Sequence, residues 1–308
     1  MTKNRTNIDK TPKSDVIFKI LFGDQKHSNL LIHLLNSIIR DPCPITEIEI
    51  KQTELTPEFV GQRGVRLDIL AKASDGKLVN IEIQKHNEHN MIPRSLFHWA
   101  KLFSGQAVVS EKYEDLKRTI CISIMNFKLF KDKRYWHKNF LVDSETNERA
   151  TDLFEIHFLE LQKVKKLPAD SPVLFWLAFI NDPCSDKIKD MYEKEEVYNE
   201  AKLCYEKAIA DPKVQELIRI REKAEMDYKD AMARKYAEGE ARGIEKGVAQ
   251  GRAEEREKAA QELAAQQAKA YAEKIEMARR VLAKGLTVKD AAEFTGLSIS
   301  EISTLIKP

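Results

Sequence analysis

The sequence of 308 residues has no apolar run long enough to cross a bilayer. Its longest run, VLFWLAFI at 173–180, is far shorter than the roughly 20 residues of a spanning helix. Only four cysteines are present and no two form a CxxC pair, which argues against a structural zinc site and favours a reducing compartment. The polar start, MTKNRTNIDKTPKSD, is not typical of a signal peptide. We therefore expect a cytoplasmic protein without a membrane partner.

An excess of charge of one sign is also lacking. The formal net charge is only +2, so the overall charge does not indicate a polyanionic partner. Neither a Gly-rich phosphate loop nor a Ser/His/Asp arrangement stands out. Charge of both signs is abundant, at 32% of the residues, against roughly one quarter in an average protein. Such an excess is typical of exposed helices.

Proline is absent between Pro212 and Pro308, and the pattern of 186–284 predicts long, highly charged helices. Four glycines inside them would each cost a helix about 0.8–1 kcal/mol, or roughly 3–4 kcal/mol together. They either form a ridge that another helix can approach closely, or they loosen a flexible connector. We expect a homo-oligomer formed through these helices. The glycines recur every four residues at Gly239, Gly243, Gly247 and Gly251.

The N-terminal half alternates between helix and strand patterns. SDVIFKILFG and HSNLLIHLLNSII have apolar residues at helical spacing, and ITEIEIKQTEL, GVRLDILAKA and KLVNIEIQK then follow as three strands. A helix in MIPRSLFHWAKLFSGQAVV precedes a β-branched strand, RTICISIMNF. The order predicts an α/β fold with an αβββαβ core, followed by a long α-helical C-terminal extension. The helix predicted in MIPRSLFHWAKLFSGQAVV is expected to bury one apolar stripe, made of Ile92, Leu96, Trp99, Phe103 and Ala107.

Two acids lie within strand-like runs, Asp68 in RLDILA and Glu82 in NIEIQ. Alternate residues of a strand share a face, so the turn between the two strands decides whether the carboxylates meet. A two-residue loop, Asp75-Gly76, would place them on opposite faces, whereas a three-residue loop beginning at Ser74 would pair 68 with 82. We prefer the longer loop because it suits glycine in a left-handed position. The shorter loop would also bury Asp68 against apolar side chains.

Two opposed carboxylates repel each other unless a divalent cation lies between them. Oxygen ligands from two acids, completed by water, suit Mg²⁺ or Mn²⁺. Such an ion can polarise a phosphate and activate a water molecule. The alternative is a solvated sheet face on which Glu82 pairs with Arg66 or Lys72, and the residues alone leave both interpretations open.

The ordered set of motifs resembles the PD-(D/E)XK nuclease superfamily. Within it, the chain is most similar to the Rpn family of recombination-promoting nucleases, also described as PD-(D/E)XK family transposases. The resemblance covers about 14–180 and 235–306, and it implies a metal-dependent DNA endonuclease that is transposase-related and promotes recombination. The matching stretches are SDVIFKILFG, LLIHLLNSII, VRLDILA, VNIEIQ, RSLFHWAKLFSGQ, YEDLKRTICISIMNF, VLFWLAFI and AAEFTGLSISEI.

The family pattern implies that Asp68 and Glu82 bind Mg²⁺ or Mn²⁺, with the carbonyl of Ile83 as a further candidate ligand. Asp15 matches a position at which the superfamily often has another acid and is a further candidate metal ligand, although a helix N-cap is the alternative for this residue. Gln84 occupies the position that is usually lysine. An amide can only donate and accept hydrogen bonds, so it is expected to position water without supplying charge.

The substitution of the usual lysine by Gln84 leaves a second function open. In this alternative, the nuclease fold has lost its chemistry and acts as a DNA-binding or assembly module. Arg94 and Arg66 are predicted to contact DNA, and Arg94 at the start of the third helix could reach a backbone phosphate. An ordinary polar position on the helix surface is an equal alternative for Arg94.

Three segments are predicted: a nuclease-like domain at 14–180, a charged helical extension at 186–272 and a helix-turn-helix-like tail at 273–308. In the tail, Ala292 and Gly296 have the spacing of such a motif. The would-be recognition helix, SISEISTLIK, has a single basic residue, whereas phosphate contacts usually need more. DNA binding and packing or assembly therefore both remain open for the tail.

Overall fold

The computed structural model describes residues 9–51, 53–55, 65–107, 112–164 and 171–306. The chain divides into two compact units, Met1–Glu225 and Met226–Pro308. The first unit contains every described strand, whereas the second is helical. Within the described ranges, no helix combines the length and the apolar character that crossing a membrane requires.

Two helices open the first unit. Helix α1 (Asp15–Phe22) begins after the extended residue Ser14, and helix α2 (Ser28–Ile39) ends at Arg40, which adopts the left-handed conformation. Apolar residues three and four positions apart bring one face of each helix into the main core. In α1 the fully buried residues are Ile17, Phe18, Leu21 and Phe22.

One mixed sheet of six strands forms the centre of the first unit, in the order β1-β4-β5-β6-β8-β7, and β2 pairs separately with β3. The strands β5, β6 and β8 run parallel. Every residue of β6 is buried, as expected for a central parallel strand covered on both faces. The bounds are β1 (Ile48–Lys51), β2 (Glu54–Leu55), β3 (Val65–Arg66), β4 (Ile69–Ala73), β5 (Leu78–Gln84), β6 (Thr119–Met125), β7 (Trp136–Asn139) and β8 (Phe154–Glu160).

The predicted αβββαβ order with a long helical extension is confirmed. Helices α1 and α2 precede β1, β4 and β5, and helix α3 (Met91–Ser104) then crosses over to the parallel strand β6. Two of the predicted strands are each divided, into β1 and β2 and into β3 and β4. The edge strand β7 was not predicted, because its polar sequence WHKN has no strand signal apart from its pairing with β8.

The connection between β4 and β5 is the three-residue loop that the sequence favours. The N–H of Ala73 donates to the carbonyl of Lys77 at 2.9 Å, and Gly76 has a φ of +91°. Ile69 pairs with Ile81, so the same register places position 68 opposite position 82. The predicted register is therefore confirmed. Glycine is favoured at position 76 because it has no Cβ atom and adopts a positive φ without strain.

Helix α3 is rotated by about one residue relative to the prediction, and the predicted apolar stripe is wrong. Ile92 and Leu96 remain 43% and 46% exposed. The polar residues Ser95 and His98 face the sheet instead, and the Oγ atom of Ser95 lies 3.0 Å from that of Ser123 on β6. The residues that α3 buries are Met91, Ser95, His98 and Leu102.

Three further helices follow the sheet: α4 (Pro172–Asn181), α5 (Glu196–Ala210) and α6 (Pro212–Ala283). Helix α4 is apolar on nearly all sides and packs into the main core. The long charged helix predicted after Pro212 is confirmed as α6. The four regularly spaced glycines are helical and exposed, and a Cβ atom at any of them would meet no atom within 4 Å apart from those of its own stretch of helix.

The second unit ends in two short helices, α7 (Val288–Thr295) and α8 (Ile299–Ile306). Helix α7 has a capping box in which Thr287 and Asp290 exchange hydrogen bonds, and Gly296 ends it with a φ of +68°. The two helices pack on the last turns of α6. Their small core consists of Ala278, Ala291, Leu297 and Ile302.

Candidate active site

The first acid of the candidate site, Asp68, lies in a bend between β3 and β4. The sequence predicted it inside a strand, and that expectation is wrong. The N–H of Leu67 donates to the carbonyl of Thr53, while the N–H of Asp68 leaves the ladder and donates to Glu82 Oε1 at 3.2 Å. The Glu82 carboxylate thus takes the place of the backbone carbonyl that would accept this N–H in a β-sheet, and the strand is interrupted at this position.

The two acids are joined by a reciprocal pair of hydrogen bonds. Glu82 Oε1 accepts from the backbone of Asp68, and Asp68 Oδ2 accepts from the N–H of Ile83 at 3.0 Å. Each carboxylate is therefore held by the backbone beside the other acid. Two negative side chains are brought together where β4 begins and β5 ends, and they do not point to opposite sides of the sheet.

Glu82 is enclosed by polar side chains and is only 2% exposed. Asn80 Nδ2 donates to Glu82 Oε1 at 3.3 Å. From α3, Arg94 Nη2 lies 3.4 Å from Oε2, and His98 Nδ1 lies 3.6 Å from Oε1. The rotation of α3 thus brings a cation and an imidazole to Glu82, which compensates a charge that would be costly to bury alone.

Asp68 is less well compensated than Glu82. The pKa of the Asp68 carboxyl is raised from 3.8 to about 6, chiefly by burial and then by repulsion from Glu82. The hydrogen bond from Ile83 and the charge of Lys19 oppose it, whereas the charge of Asp15 raises it further. The fold thus holds Asp68 near the point at which it exchanges a proton, which is typical of functional sites.

Lys19 approaches Asp68 from α1, with its Nζ atom 3.5 Å from Asp68 Oδ1. Both residues line a cavity of about 460 Å³, to which Lys51 and Thr53 also contribute. The Lys19 side chain is 31% exposed and that of Asp68 is 18% exposed. Asp68 is therefore open to a ligand on the side of α1, while Glu82 is closed off by α3.

The remaining residues predicted for the site take different places. Asp15 is the first residue of α1 and pairs with Arg221 at 2.7 Å, so its carboxylate does not cap the helix. Gln84 ends β5 and is half-buried, on the same face as Glu82 by strand alternation. The backbone of Arg66 lies in β3, and its side chain lies outside the described part of the structure.

The donor set around Asp68 and Glu82 fits a hard divalent cation that keeps most of its water. Mg²⁺ is commonly bound through only one or two carboxylates, and this site offers two, held close by the backbone. Among the described residues, no group of three or more His, Cys, Asp or Glu side chains could hold a metal ion. A bound ion would therefore depend on the two acids, water and the substrate.

Sequence reasoning missed three side chains that contact the acids. Lys19 follows Asp15 by one helical turn, and this i, i+4 spacing places both on one face of α1. That spacing was a usable signal for Lys19. Asn80 had a signal too, because alternate residues of a strand share a face and Asn80 precedes Glu82 by two residues. His98 gave none, because its contact with Glu82 depends on how α3 is rotated.

A family model described as "PD-(D/E)XK nuclease family transposase" matches residues 12–235. This range contains both acids, Lys19 and all eight strands of the described residues. No curated protein and no solved structure was found to match the chain.

Proposed function

The chain belongs to the PD-(D/E)XK nuclease family transposases, and on that premise we propose a metal-dependent DNA endonuclease that promotes recombination. The observation that carries the proposal is the reciprocal hydrogen bonding of Asp68 and Glu82. A fold that only needed stability would not hold two carboxylates so close in a largely buried position. A pair of acids that binds a divalent cation is one way to activate water for the hydrolysis of a phosphodiester.

Asp68 and Glu82 would hold Mg²⁺ or Mn²⁺. The bound ion would supply Lewis acidity toward the phosphate and lower the pKa of a bound water. Asp68 must lose its proton to act as a ligand, and its pKa of about 6 allows this at neutral pH. Asp15, whose charge is felt at Asp68, is proposed to add to the negative potential that attracts the cation.

The other polar side chains would orient the reactants. Gln84 would hydrogen-bond the attacking water, and Arg94 and Arg66 would contact backbone phosphates. The water oxygen forms the new bond to phosphorus as one phosphorus–oxygen ester bond breaks. The leaving oxygen takes a proton, and the water releases one to solvent, so the products are a phosphomonoester and a hydroxyl.

A nicking assay on supercoiled plasmid tests this function. The wild-type protein with Mg²⁺ is expected to produce open circles, and EDTA should stop the reaction. Asp68→Asn and Glu82→Gln keep the size of each side chain while removing its charge, so each should slow nicking by at least about 100-fold. Asp115→Asn, at an exposed acid outside the site, serves as the control and should cut like the wild type.

Equal nicking by the wild type and both site variants would identify the activity as a contaminant and overturn the proposal. Absence of nicking with intact DNA binding would favour the second candidate, a degenerate nuclease fold that acts as a DNA-binding or assembly module. One observation favours this alternative: Gln84 stands where the superfamily usually has lysine. A gel-shift measurement on the same preparations separates the two candidates.

We also propose that the protein forms a homo-oligomer through α6, which would bring two active sites to two DNA strands. The four exposed glycines of α6 leave open space around their backbone, so in a single chain alanine would stabilise the helix by about 0.8–1 kcal/mol at each position. If a second copy packs there, alanine should instead weaken association. Sedimentation equilibrium of a variant with alanine at all four positions distinguishes these outcomes. If the wild type and the variant are both monomeric, the proposed oligomer is refuted.

A further inference from the structure

An amide side chain, that of Gln84, stands where the nuclease superfamily usually has the cation of a lysine. Gln84 is half-buried at the end of β5, and its side chain makes no hydrogen bond with another residue of the described ranges. An amide cannot neutralise charge that develops on a phosphate. Apart from the bound metal ion, the charge that the usual lysine supplies would therefore have to come from another element of the fold.

Lys19 meets this need in position and in accessibility. Its Nζ atom lies 3.5 Å from Asp68 Oδ1, and the side chain lines the cavity that opens beside Asp68. A phosphate that reaches Asp68 from this cavity also meets the ammonium group. Arg94, the nearest cation on the other side, is directed at the enclosed Glu82.

The backbone of Lys19 is fixed by the core. Its neighbours Phe18, Leu21 and Phe22 are fully buried, and its carbonyl accepts a hydrogen bond from Gly23 at the end of α1. Helix α1 is thus anchored independently of the ion pair. A partly exposed lysine–carboxylate pair contributes little to stability, so removal of the Lys19 charge should leave the fold intact.

We propose that Lys19 supplies the catalytic cation that β5 lacks, by contacting the scissile phosphate or the attacking water beside Asp68. The inference rests on the proposed nuclease function. It assigns to a residue of α1 the role that lysine usually has at the position of Gln84. It also explains how a chain with glutamine at this position can retain hydrolytic activity.

The test compares Lys19→Gln, Lys19→Arg and the double variant Lys19→Gln/Gln84→Lys, under single-turnover conditions with Mg²⁺. Lys19→Gln should slow nicking by about 100-fold, whereas Lys19→Arg, which keeps the charge, should retain a measurable part of the rate. The double variant should nick at least about tenfold faster than Lys19→Gln alone. Lys26→Gln changes an exposed lysine beyond the end of α1 and should have no effect.

Two readouts do not depend on cutting. Thermal unfolding of Lys19→Gln should match that of the wild type, which excludes a role confined to holding α1 in place. Mn²⁺ binding without DNA, followed by electron paramagnetic resonance, should be at least about threefold tighter in Lys19→Gln, because a positive charge next to Asp68 has been removed.

The outcomes separate this inference from the proposed function. If the wild type nicks plasmid and Lys19→Gln nicks at the same rate, the role of Lys19 is refuted while the nuclease stands. If Lys19→Gln is slow but unstable, with no rescue by Gln84→Lys and no change in Mn²⁺ affinity, its role is structural and the inference fails. A wild type that never cuts overturns both.

Discussion

The raised pKa of Asp68 makes a quantitative prediction for the substitution Asp68→Asn. In the absence of divalent ions, wild-type protein must either keep a proton on this carboxyl or bury its charge next to Glu82. Asparagine has nearly the same shape and can accept the same hydrogen bond from Ile83. The variant should therefore remove the cost of the charge while it retains the local structure.

The magnitude follows from the two proton affinities. A rise from 3.8 to about 6 corresponds to about 3 kcal/mol, since each tenfold change is worth about 1.4 kcal/mol. The folded state binds the proton more tightly than the unfolded chain, so the unfolding free energy falls as pH rises from about 4 to about 6. Asp68→Asn should match the wild type near pH 4 and be more stable by up to about 3 kcal/mol above pH 7.

Urea unfolding in EDTA, followed by tryptophan fluorescence, measures this difference. The three tryptophans, Trp99, Trp136 and Trp176, all belong to the unit that contains the site. Asp115→Asn at an exposed position outside the site provides the control for the loss of one carboxylate. Excess Mg²⁺ should reduce the advantage of Asp68→Asn, because only the wild-type carboxylate gains from the cation.

A stability difference that is the same at pH 4 and pH 8 would refute the reasoning. So would an Asp68→Asn variant that is less stable than the wild type at neutral pH in EDTA. Either result would mean that the carboxylate is already balanced in the folded protein. The argument for a cation site at Asp68 would then lose its energetic support.

Three further predictions concern local contacts elsewhere in the protein. Gly76→Ala should lower the unfolding free energy by about 1–2 kcal/mol in urea, because its φ is +91°, and Gly76→Asn should cost less. Glu155→Gln should destabilise by about 3–5 kcal/mol in the same assay, because it breaks the ion pairs of a fully buried carboxylate with Arg118 and Lys138. The pKa of Glu155 is lowered to about 2, so its stabilising effect should decline as pH falls below 4.5 toward that value. Ser298→Ala should increase hydrogen–deuterium exchange in the first turn of α8, because the Ser298 hydroxyl accepts from the N–H of Glu301. A lack of change in these measurements would contradict the respective local contacts.

The hairpin of the candidate site could be predicted because local signals favour it over the shorter loop. Alternation within β4 and β5 and the tolerance of Gly76 for a left-handed backbone both favour the three-residue loop, which the structure has. The bend at Asp68 could not be predicted in this way. It exists because the Glu82 carboxylate accepts the N–H of Asp68, and strand propensity contains no information about such a tertiary contact.

Helix α3 shows where apolar periodicity fails near a polar site. The pattern favoured burial of Ile92 and Leu96, yet the sheet face opposite α3 contains Glu82 and Ser123, which require polar partners. The helix therefore turns Ser95 and His98 inward. Periodicity counts apolar area, and it has no term for the hydrogen bonds of the surface on which the helix packs.

Charge balance separates the acid of the candidate site from the structural acids of the same fold. Glu155 is fully buried, but Arg118, Lys138 and His157 surround it, and its pKa is lowered to about 2. Asp68 is more exposed than Glu155, yet its pKa rises to about 6. Burial raises the pKa of both carboxyls, but hydrogen bonds from His157 and Arg118 outweigh it at Glu155, whereas Asp68 has one cation at 3.5 Å and a second carboxylate beside it. Side chains of the fold neutralise Glu155, whereas Asp68 lacks positive charge on the side that faces the cavity. A divalent ion bound there would supply that charge, and a phosphate could then bind the ion.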